Sequence, residues 1–251
     1  MNLLKAGRLA QRLLKITFTN PARLSHVFGI ALHTCDQVAD HAHDLLRFRH
    51  ADVADLLPAE GKPQNIELSV FPRTHASISL LEFTCLVLLM KRAQARSIFE
   101  FGTYKGVSIT QFAANLPAGS RIFTLDLPEE PTQTKFAIAD AEDETIAKET
   151  GKGSLVPVQL RPRIQFLRQD SAAFDETPYS GQMDFVFVDG AQTYNYVRSD
   201  SEKGWRMLRR GGTMAWHDCR SEDPDVVRYL LASAYQPTLI SGTTVAFAVK
   251  P

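Results

Sequence analysis

Five short apolar runs in this chain each end at an acidic residue, and most of them are followed by a segment with helical spacing. This alternation predicts parallel strands joined by right-handed helical crossovers, with helices on both faces of the sheet. Sheets of this kind bind their ligands beyond the carboxyl ends of the strands. The residues expected at that edge are all acidic: Glu100, Asp126, Asp170, Asp189 and Asp218.

The alternating pattern begins at residue 76 and continues to the end of the chain, where two apolar runs flank Gly242 as an expected hairpin. Residues 1–60 instead carry apolar side chains at helical spacing, which predicts a helical N-terminal extension. Residues 61–75 are expected to form a linker or a lid. The chain of 251 residues is long enough for one such domain and its extension.

Charge and cysteine content exclude several classes of protein. Lysine plus arginine equals aspartate plus glutamate at 28 each, so no overall positive field favours nucleic acid. The 3 cysteines are far apart in the sequence, which argues against a disulfide framework and favours a cytoplasmic protein. Residues 1–18 are basic and amphipathic. A peripheral membrane contact, a helix docked on its own domain and a homodimer surface all stay open for them.

The turn EFGTYKGVS, from Glu100 to Ser108, follows the first of the five runs. A glycine-rich turn between a strand and a helix often holds a nucleotide. The NAD motif GxGxxG needs a second glycine where this chain has Tyr104, and a pyrophosphate disfavours nearby carboxylates. The strict NAD motif is therefore absent.

S-adenosylmethionine suits the acidic strand ends better. It has no phosphate, and its ammonium, sulfonium, ribose diol and adenine amine are cations or hydrogen-bond donors. Asp126 is expected to accept the ribose hydroxyls and Asp170 the adenine amine, while glycines permit the close turn. The expected cofactor-binding residues are Glu100, Gly102, Thr103, Tyr104, Gly106, Ser108, Asp126, Leu127, Asp170, Ser171 and Asp189.

Five segments together resemble the class I S-adenosylmethionine-dependent methyltransferases: EFGTYKGVS, LDL, QDS, FVFVDGAQTYNYV and LRRGGTMAWHD. The resemblance is strongest to the O-methyltransferase-like group that includes catechol-type and sugar O-methyltransferases, and it covers residues 76–250. It implies an α/β fold with a Rossmann-like, doubly wound sheet of seven strands, mostly parallel with an antiparallel last strand. It also implies methyl transfer to a small-molecule or sugar acceptor, at a hydroxyl group.

The expected catalytic residues are His217, Asp189 and Asp218, which would align the acceptor and take its proton. Catechol-type relatives hold Mg²⁺ between residues that match Asp189 and Asp218 and a following asparagine, so the resemblance implies a divalent cation here. This chain has Cys219 in place of that asparagine, and Gln192 where a histidine is common. A catalytically impaired cofactor-binding scaffold and an NAD-dependent oxidoreductase therefore stay open as alternatives.

Overall fold

The computed structural model describes residues 43–58, 62–71, 78–129, 133–138 and 141–251. The chain divides into two compact units, Met1–Asp44 and Leu45–Pro251, and the second contains the sheet. The helices expected in residues 1–42 and the membrane or dimer contact expected of residues 1–18 lie outside the described residues. Within the described part of the chain, no helix combines the length and the apolar character needed to cross a membrane.

Eight strands form one sheet, and helices connect many of them. The strands are β1 (Arg49–Ala51), β2 (Ser97–Phe101), β3 (Arg121–Asp126), β4 (Ile164–Arg168), β5 (Met183–Val188), β6 (Leu208–Trp216), β7 (Thr238–Ile240) and β8 (Ala246–Val249). The α-helices are α1 (Leu80–Arg92), α2 (Val107–Asn115), α3 (Ala141–Lys148), α4 (Tyr194–Met207) and α5 (Pro224–Ala232). Short 3-10 helices occur at Val53–Leu56, Arg161–Arg163 and Thr177–Tyr179.

The order of the strands confirms the predicted Rossmann-like, doubly wound fold. Across the sheet the order is β1-β7-β8-β6-β5-β2-β3-β4. β8 is antiparallel to both of its neighbours, and the other neighbouring strands are parallel. From β2 the chain proceeds outward to β3 and β4 and then returns to β5 on the other side of β2. The topological switch point therefore lies between β2 and β5, where such folds bind ligands.

Two hydrophobic clusters cover the two faces of the sheet, and the alternation of side chains along the strands divides residues between them. In β5, Phe185 and Phe187 belong to the cluster that includes α1 and α2. Val186 and Val188 belong to the other cluster, with residues of α4 and α5. Both faces of β5 are buried from Phe185 to Val188, which explains the apolar run at its carboxyl end and agrees with its place between β6 and β2.

The sheet has one strand more than the predicted seven because β1 pairs in parallel with the edge strand β7. β1 lies within residues 1–60, so the helical prediction is wrong for Arg49–Ala51. Two of its three residues are exposed, and so short a strand has no apolar alternation by which it could be recognised. β1 belongs to the same compact unit, Leu45–Pro251, as the rest of the sheet.

Residues 62–71, within the predicted linker or lid, are held along α2 by side chains of that helix. The amide group of Asn115 exchanges two hydrogen bonds of 2.8 Å with the backbone of Glu67. Gln111 donates from Nε2 to the carbonyl oxygen of Val70 at 2.8 Å. These contacts fix an extended segment against the domain. Residues 72–75, the last part of the predicted linker or lid, lie outside the described residues.

Candidate active site

A cavity of about 500 Å³ lies at the carboxyl ends of β2 and β5, and its volume is in the usual range for small-ligand sites. The structure brings nearly all of the predicted residues to it. Both His217 and Asp218 line the cavity, as do ten of the eleven predicted cofactor-binding residues: Gly102, Thr103, Tyr104, Gly106, Ser108, Asp126, Leu127, Asp170, Ser171 and Asp189.

The turn after β2 requires glycine for a steric reason. Gly102 has a φ of +92°, and a Cβ atom there would lie 2.0 Å from the carbonyl oxygen of Asp189. The turn is therefore packed directly against the residue that follows β5. Gly106 has a φ of +85° and is the N-cap residue of α2. A side chain at Gly102 would force the two strand ends apart, so this glycine sets the shape of the cavity.

Asp126, at the end of β3, binds the backbone of the same turn. Its Oδ2 atom accepts hydrogen bonds from the N–H groups of Thr103 at 3.0 Å and Tyr104 at 2.7 Å. A pyrophosphate bound by such a turn would need these N–H groups for itself. Their occupation by a carboxylate gives a structural reason against the NAD alternative.

The second oxygen of Asp126 is also occupied. Oδ1 accepts from the N–H group of Leu127 at 2.7 Å and from Nζ of Lys152 at 2.8 Å. The side chain of Lys152 is 2% exposed, so this ion pair is largely shielded from water. A carboxylate has about four acceptor positions, and all four are used here. Among the described residues, Lys152 is the one side-chain partner of this carboxylate, and the other three partners are backbone N–H groups.

Glu100 is the predicted cofactor-binding residue that does not line the cavity. Its side chain is fully buried in β2 and accepts hydrogen bonds of 2.5 Å from the hydroxyl groups of Ser108 and Thr124. Burial raises the pKa of Glu100 to about 8, although both hydroxyl groups act in the opposite direction. Glu100 therefore supports the cavity from beneath, through Ser108.

The far end of the cavity contains two further carboxyl groups. Asp170 accepts from the hydroxyl group of Tyr196 at 3.0 Å and from two backbone N–H groups. Asp200, on α4, lines the cavity and accepts from the hydroxyl group of Ser171 at 3.1 Å, but its Oδ1 atom has no partner. Burial raises the pKa of Asp200 to about 7, against the effect of Ser171. An unpaired buried acceptor at this end suits a ligand that brings hydrogen-bond donors, such as an adenine amine.

The predicted catalytic residues form one cluster at the switch point. Nδ1 of His217 lies 3.0 Å from Oδ1 of Asp189 and 3.1 Å from Oδ2 of Asp218. Asp218 has a φ of +54°, a conformation that residues other than glycine rarely adopt. This backbone turn brings its carboxylate back toward the preceding histidine. Strain of this kind persists where surrounding contacts hold it, which is common at functional sites.

Glu82 completes the cluster, a role that its sequence context did not indicate. Oε2 of Glu82 lies 3.6 Å from Nε2 of His217, and Oε1 accepts from the N–H and hydroxyl groups of Thr244 at 3.0 and 2.8 Å. Glu82 also belongs to the capping box of α1 with Ser79. The S-x-x-E pattern signals the start of a helix, and only the folded chain shows that its glutamate faces the histidine.

The carboxylates around His217 determine whether its imidazole is protonated. Burial lowers the pKa of this side chain, but the nearby carboxylate of Asp189, hydrogen bonds to Asp189 and Asp218 and the proximity of Glu82 outweigh it and raise the pKa well above 6.5. In turn, burial raises the pKa of Glu82, but contact with His217 prevails and lowers it below its ordinary value. His217 is therefore an imidazolium at neutral pH, which is unfavourable for the general-base role predicted for it.

Comparison with known families places a defined domain in this part of the chain. Residues 99–219 match the family described as a methyltransferase domain. Caffeoyl-CoA O-methyltransferase of Medicago sativa is 28% identical over an alignment of 169 residues, and the match covers 59% of this chain. The match covers 64% of that enzyme, somewhat less than two thirds of its length.

Two solved structures are similar to this chain to different degrees. A Staphylococcus aureus protein named provisionally as a caffeoyl-CoA O-methyltransferase is similar with a TM-score of 0.53 and 14% identity, covering 70% of this chain and 85% of that one. The O-methyltransferase TomG of Streptomyces achromogenes, solved in complex with S-adenosylmethionine, has a TM-score of 0.49 and 17% identity, covering 70% and 82% of the two chains. At such low identity the first likeness supports the fold.

Proposed function

Since the chain contains an S-adenosylmethionine-dependent methyltransferase domain of class I, we propose that it is an O-methyltransferase that acts on a hydroxyl group of a polar small molecule, such as a sugar. The observation that carries the proposal is the contact of Asp189 with His217 beside the turn of Gly102. This contact supplies a proton acceptor and a positive charge at the point where cofactor and acceptor would meet.

The residues of the cavity suit S-adenosylmethionine in their chemistry. The turn from Gly102 to Ser108 would hold the methionine portion, with free N–H groups of α2 facing its carboxylate. Asp126 would accept the ribose hydroxyls in place of Lys152. Asp170 and the unpaired oxygen of Asp200 would receive the adenine amine.

Transfer requires the acceptor to lose a proton as it gains the methyl group. When bound, S-adenosylmethionine would supply the methyl group on its sulfonium, whose S–C bond would break as the O–C bond formed, leaving a neutral thioether. Asp189 lines the cavity and accepts the hydroxyl proton. His217, as the imidazolium, orients Asp189 through the 3.0 Å contact. Asp218 and Glu82 hold His217 in this position.

The lining of the acceptor end favours a neutral, polyhydroxylated molecule. Beyond the cluster, the cavity wall contains Gln192, Arg220, Asp223 and Thr244. Such groups form hydrogen bonds with several hydroxyl groups at once. Carboxylates outnumber cationic side chains at this end, so an anionic acceptor would be repelled. A sugar or polyol therefore fits this end better than an acidic phenol or a coenzyme A ester.

The test is turnover of an acceptor panel with S-adenosylmethionine, read out as S-adenosylhomocysteine formed and as methylated product. The panel contains neutral sugars, catechols and carboxylated phenols. We expect methylated sugar, and its loss in Asp189→Asn, while calorimetry shows that this variant still binds S-adenosylhomocysteine. Glu202→Gln, at an exposed carboxylate on the same domain, is the matched control and should retain activity.

Two outcomes contradict the proposal. Methylation of nitrogen or carbon in place of oxygen would exclude the reaction proposed. Binding of S-adenosylhomocysteine with undiminished turnover in Asp189→Asn would exclude the role of Asp189. The scaffold alternative, suggested by Gln192 and Cys219, predicts binding of the cofactor without turnover of any acceptor class.

A further inference from the structure

The cation expected at this site lacks one of its ligands. The resemblance to catechol-type enzymes implies Mg²⁺ held by Asp189, Asp218 and an asparagine at the next position, where this chain has Cys219. The side chain of Cys219 is buried. Sulfur is a soft ligand, whereas a hard cation such as Mg²⁺ prefers oxygen.

The remaining carboxylates are already bound by nitrogen groups. Gln192 donates from Nε2 to Oδ2 of Asp218, and the guanidinium of Arg220 lies 3.4 Å from its Oδ1. His217 contacts the same Oδ2 atom at 3.1 Å and also Oδ1 of Asp189 at 3.0 Å. Both oxygens of Asp218 therefore have nitrogen partners, and one imidazole nitrogen lies between the two carboxylates that would share a metal ion.

The chemistry of the nitrogen groups around Asp218 indicates whether this cluster binds a metal ion or fills its place with hydrogen-bond donors. The ligand atoms of Asp189, His217 and Asp218 lie within 4.8 Å of one another, a spacing that a metal ion could also use. A guanidinium has no lone pair to give to a metal, and an amide nitrogen acts as a donor only. Arg220 is also always charged. The guanidinium of Arg220 and the amide nitrogen that Gln192 turns toward Asp218 thus cannot act as metal ligands, and both groups satisfy the carboxylate themselves.

We propose that His217, Gln192 and Arg220 take the place of the divalent cation, so that this methyltransferase works without one. The inference deepens the proposed hydroxyl methylation and rests on it for its functional meaning. Orientation of the acceptor then comes from hydrogen bonds of these three side chains. The two positions where the chain departs from its relatives, Gln192 and Cys219, have one common explanation: a site that has exchanged a metal ion for side-chain donors.

The test measures metal binding directly and does not need an identified acceptor. The full chain is freed of metal with a chelator, saturated with S-adenosylhomocysteine and titrated with Mn²⁺, with bound ion followed by electron paramagnetic resonance. The wild-type chain should show no saturable binding below about 1 mM, the weak limit of protein sites for hard cations. The double variant His217→Ala/Cys219→Asn removes the central nitrogen and restores the asparagine, and it should bind at least about tenfold more tightly.

Each result bears on the proposal. Saturable Mn²⁺ binding by the wild type that disappears in Asp218→Asn overturns it. Failure of both wild type and double variant to bind also overturns it, because His217 would then not be what keeps the ion out. Weak binding by the wild type and tight binding by the double variant support it. Loss of the new site when Asp218→Asn is added to the double variant would assign that site to the cluster.

Once an acceptor is known, enzyme turnover provides a second, independent test of whether a divalent cation is needed. Turnover should be unchanged within error by a chelator or by added Mg²⁺, whereas a metal-dependent enzyme would lose activity in the chelator and regain it with Mg²⁺. If no hydroxyl acceptor is methylated, the proposed function fails while the Mn²⁺ titration still decides the question of the cation. The two proposals can therefore fail separately.

Discussion

Replacing Gly102 by alanine tests whether the close approach of β2 and β5 builds the cavity. The added Cβ atom would lie 2.0 Å from the carbonyl oxygen of Asp189 and 3.0 Å from the backbone nitrogen of Gly190. Since these are backbone atoms, no side chain can move aside to relieve the contact. We expect the ends of the two strands to separate, with loss of both stability and cofactor binding.

The magnitude follows from two contributions. A left-handed conformation costs a residue other than glycine about 1–2 kcal/mol, and forcing extra atoms into a packed region costs about 1–3 kcal/mol. Gly119→Ala is the matched control, because Gly119 has a φ of +78° but no atom within 4 Å of its added Cβ. Both variants lose the same unfolded-state flexibility. Gly102→Ala should therefore be less stable than Gly119→Ala by about 1–3 kcal/mol.

Urea denaturation of the two variants and the wild type gives this difference, and calorimetric titration with S-adenosylhomocysteine gives the affinities. We expect Gly119→Ala to bind like the wild type and Gly102→Ala to bind at least about tenfold more weakly, which corresponds to about 1.4 kcal/mol. Equal stability losses in the two variants would show that the contact with Asp189 is unimportant. Full affinity in Gly102→Ala would show that the turn does not shape the cofactor site.

Three further predictions concern buried charges. Burial raises the pKa of Glu100 from 4.5 to about 8, so the stability that its neutral form contributes is lost as pH rises through this interval. Relative to Glu100→Gln, the wild type should lose stability over that range and show no further loss at higher pH. Urea midpoints measured at several pH values will test this. Asp126→Asn leaves the ammonium group of Lys152 unpaired and should cost about 3 kcal/mol. Addition of Lys152→Met should recover about half of that loss, and no recovery would contradict the ion pair. Contact with His217 lowers the pKa of Glu82, so the stabilising contribution of Glu82 is lost as pH falls below its ordinary range. Glu82→Gln should flatten this acid limb and lower the pKa of His217 measured by NMR titration, and an unchanged histidine pKa would exclude the contact.

The local sequence pattern correctly predicted the edge of the sheet at which the cavity lies. Apolar runs identified β2 to β6, and the acidic residues that follow them converge because the carboxyl ends of parallel strands share one edge. The role of Glu100 was less accessible. Its place near a strand end suggested contact with the ligand, but the alternation along β2 directs its side chain beneath α2, onto Ser108.

Residues that join the site from distant parts of the chain could not be found in the same way. Glu82 and Thr244 meet only because α1 packs beside the turn before β8. Lys152 reaches Asp126 from the connection between α3 and β4, 26 residues further along the chain. The strand β1 was missed for a related reason, since its pairing with β7 is what makes Arg49–Ala51 a strand.

The sequence by itself determined the class of fold, the switch-point turn and the acidic lining that favours S-adenosylmethionine, because these depend on periodicity and on residues close together in the chain. Tertiary structure decided the state of each acidic group. All acceptor positions of Asp126 are occupied by hydrogen-bond donors, and Glu100 is buried. Asp189 and Asp218 both contact the same nitrogen of His217. The physical reason is that burial and partner groups set the charge of a carboxyl group, and these are fixed only when separate segments of the chain pack together.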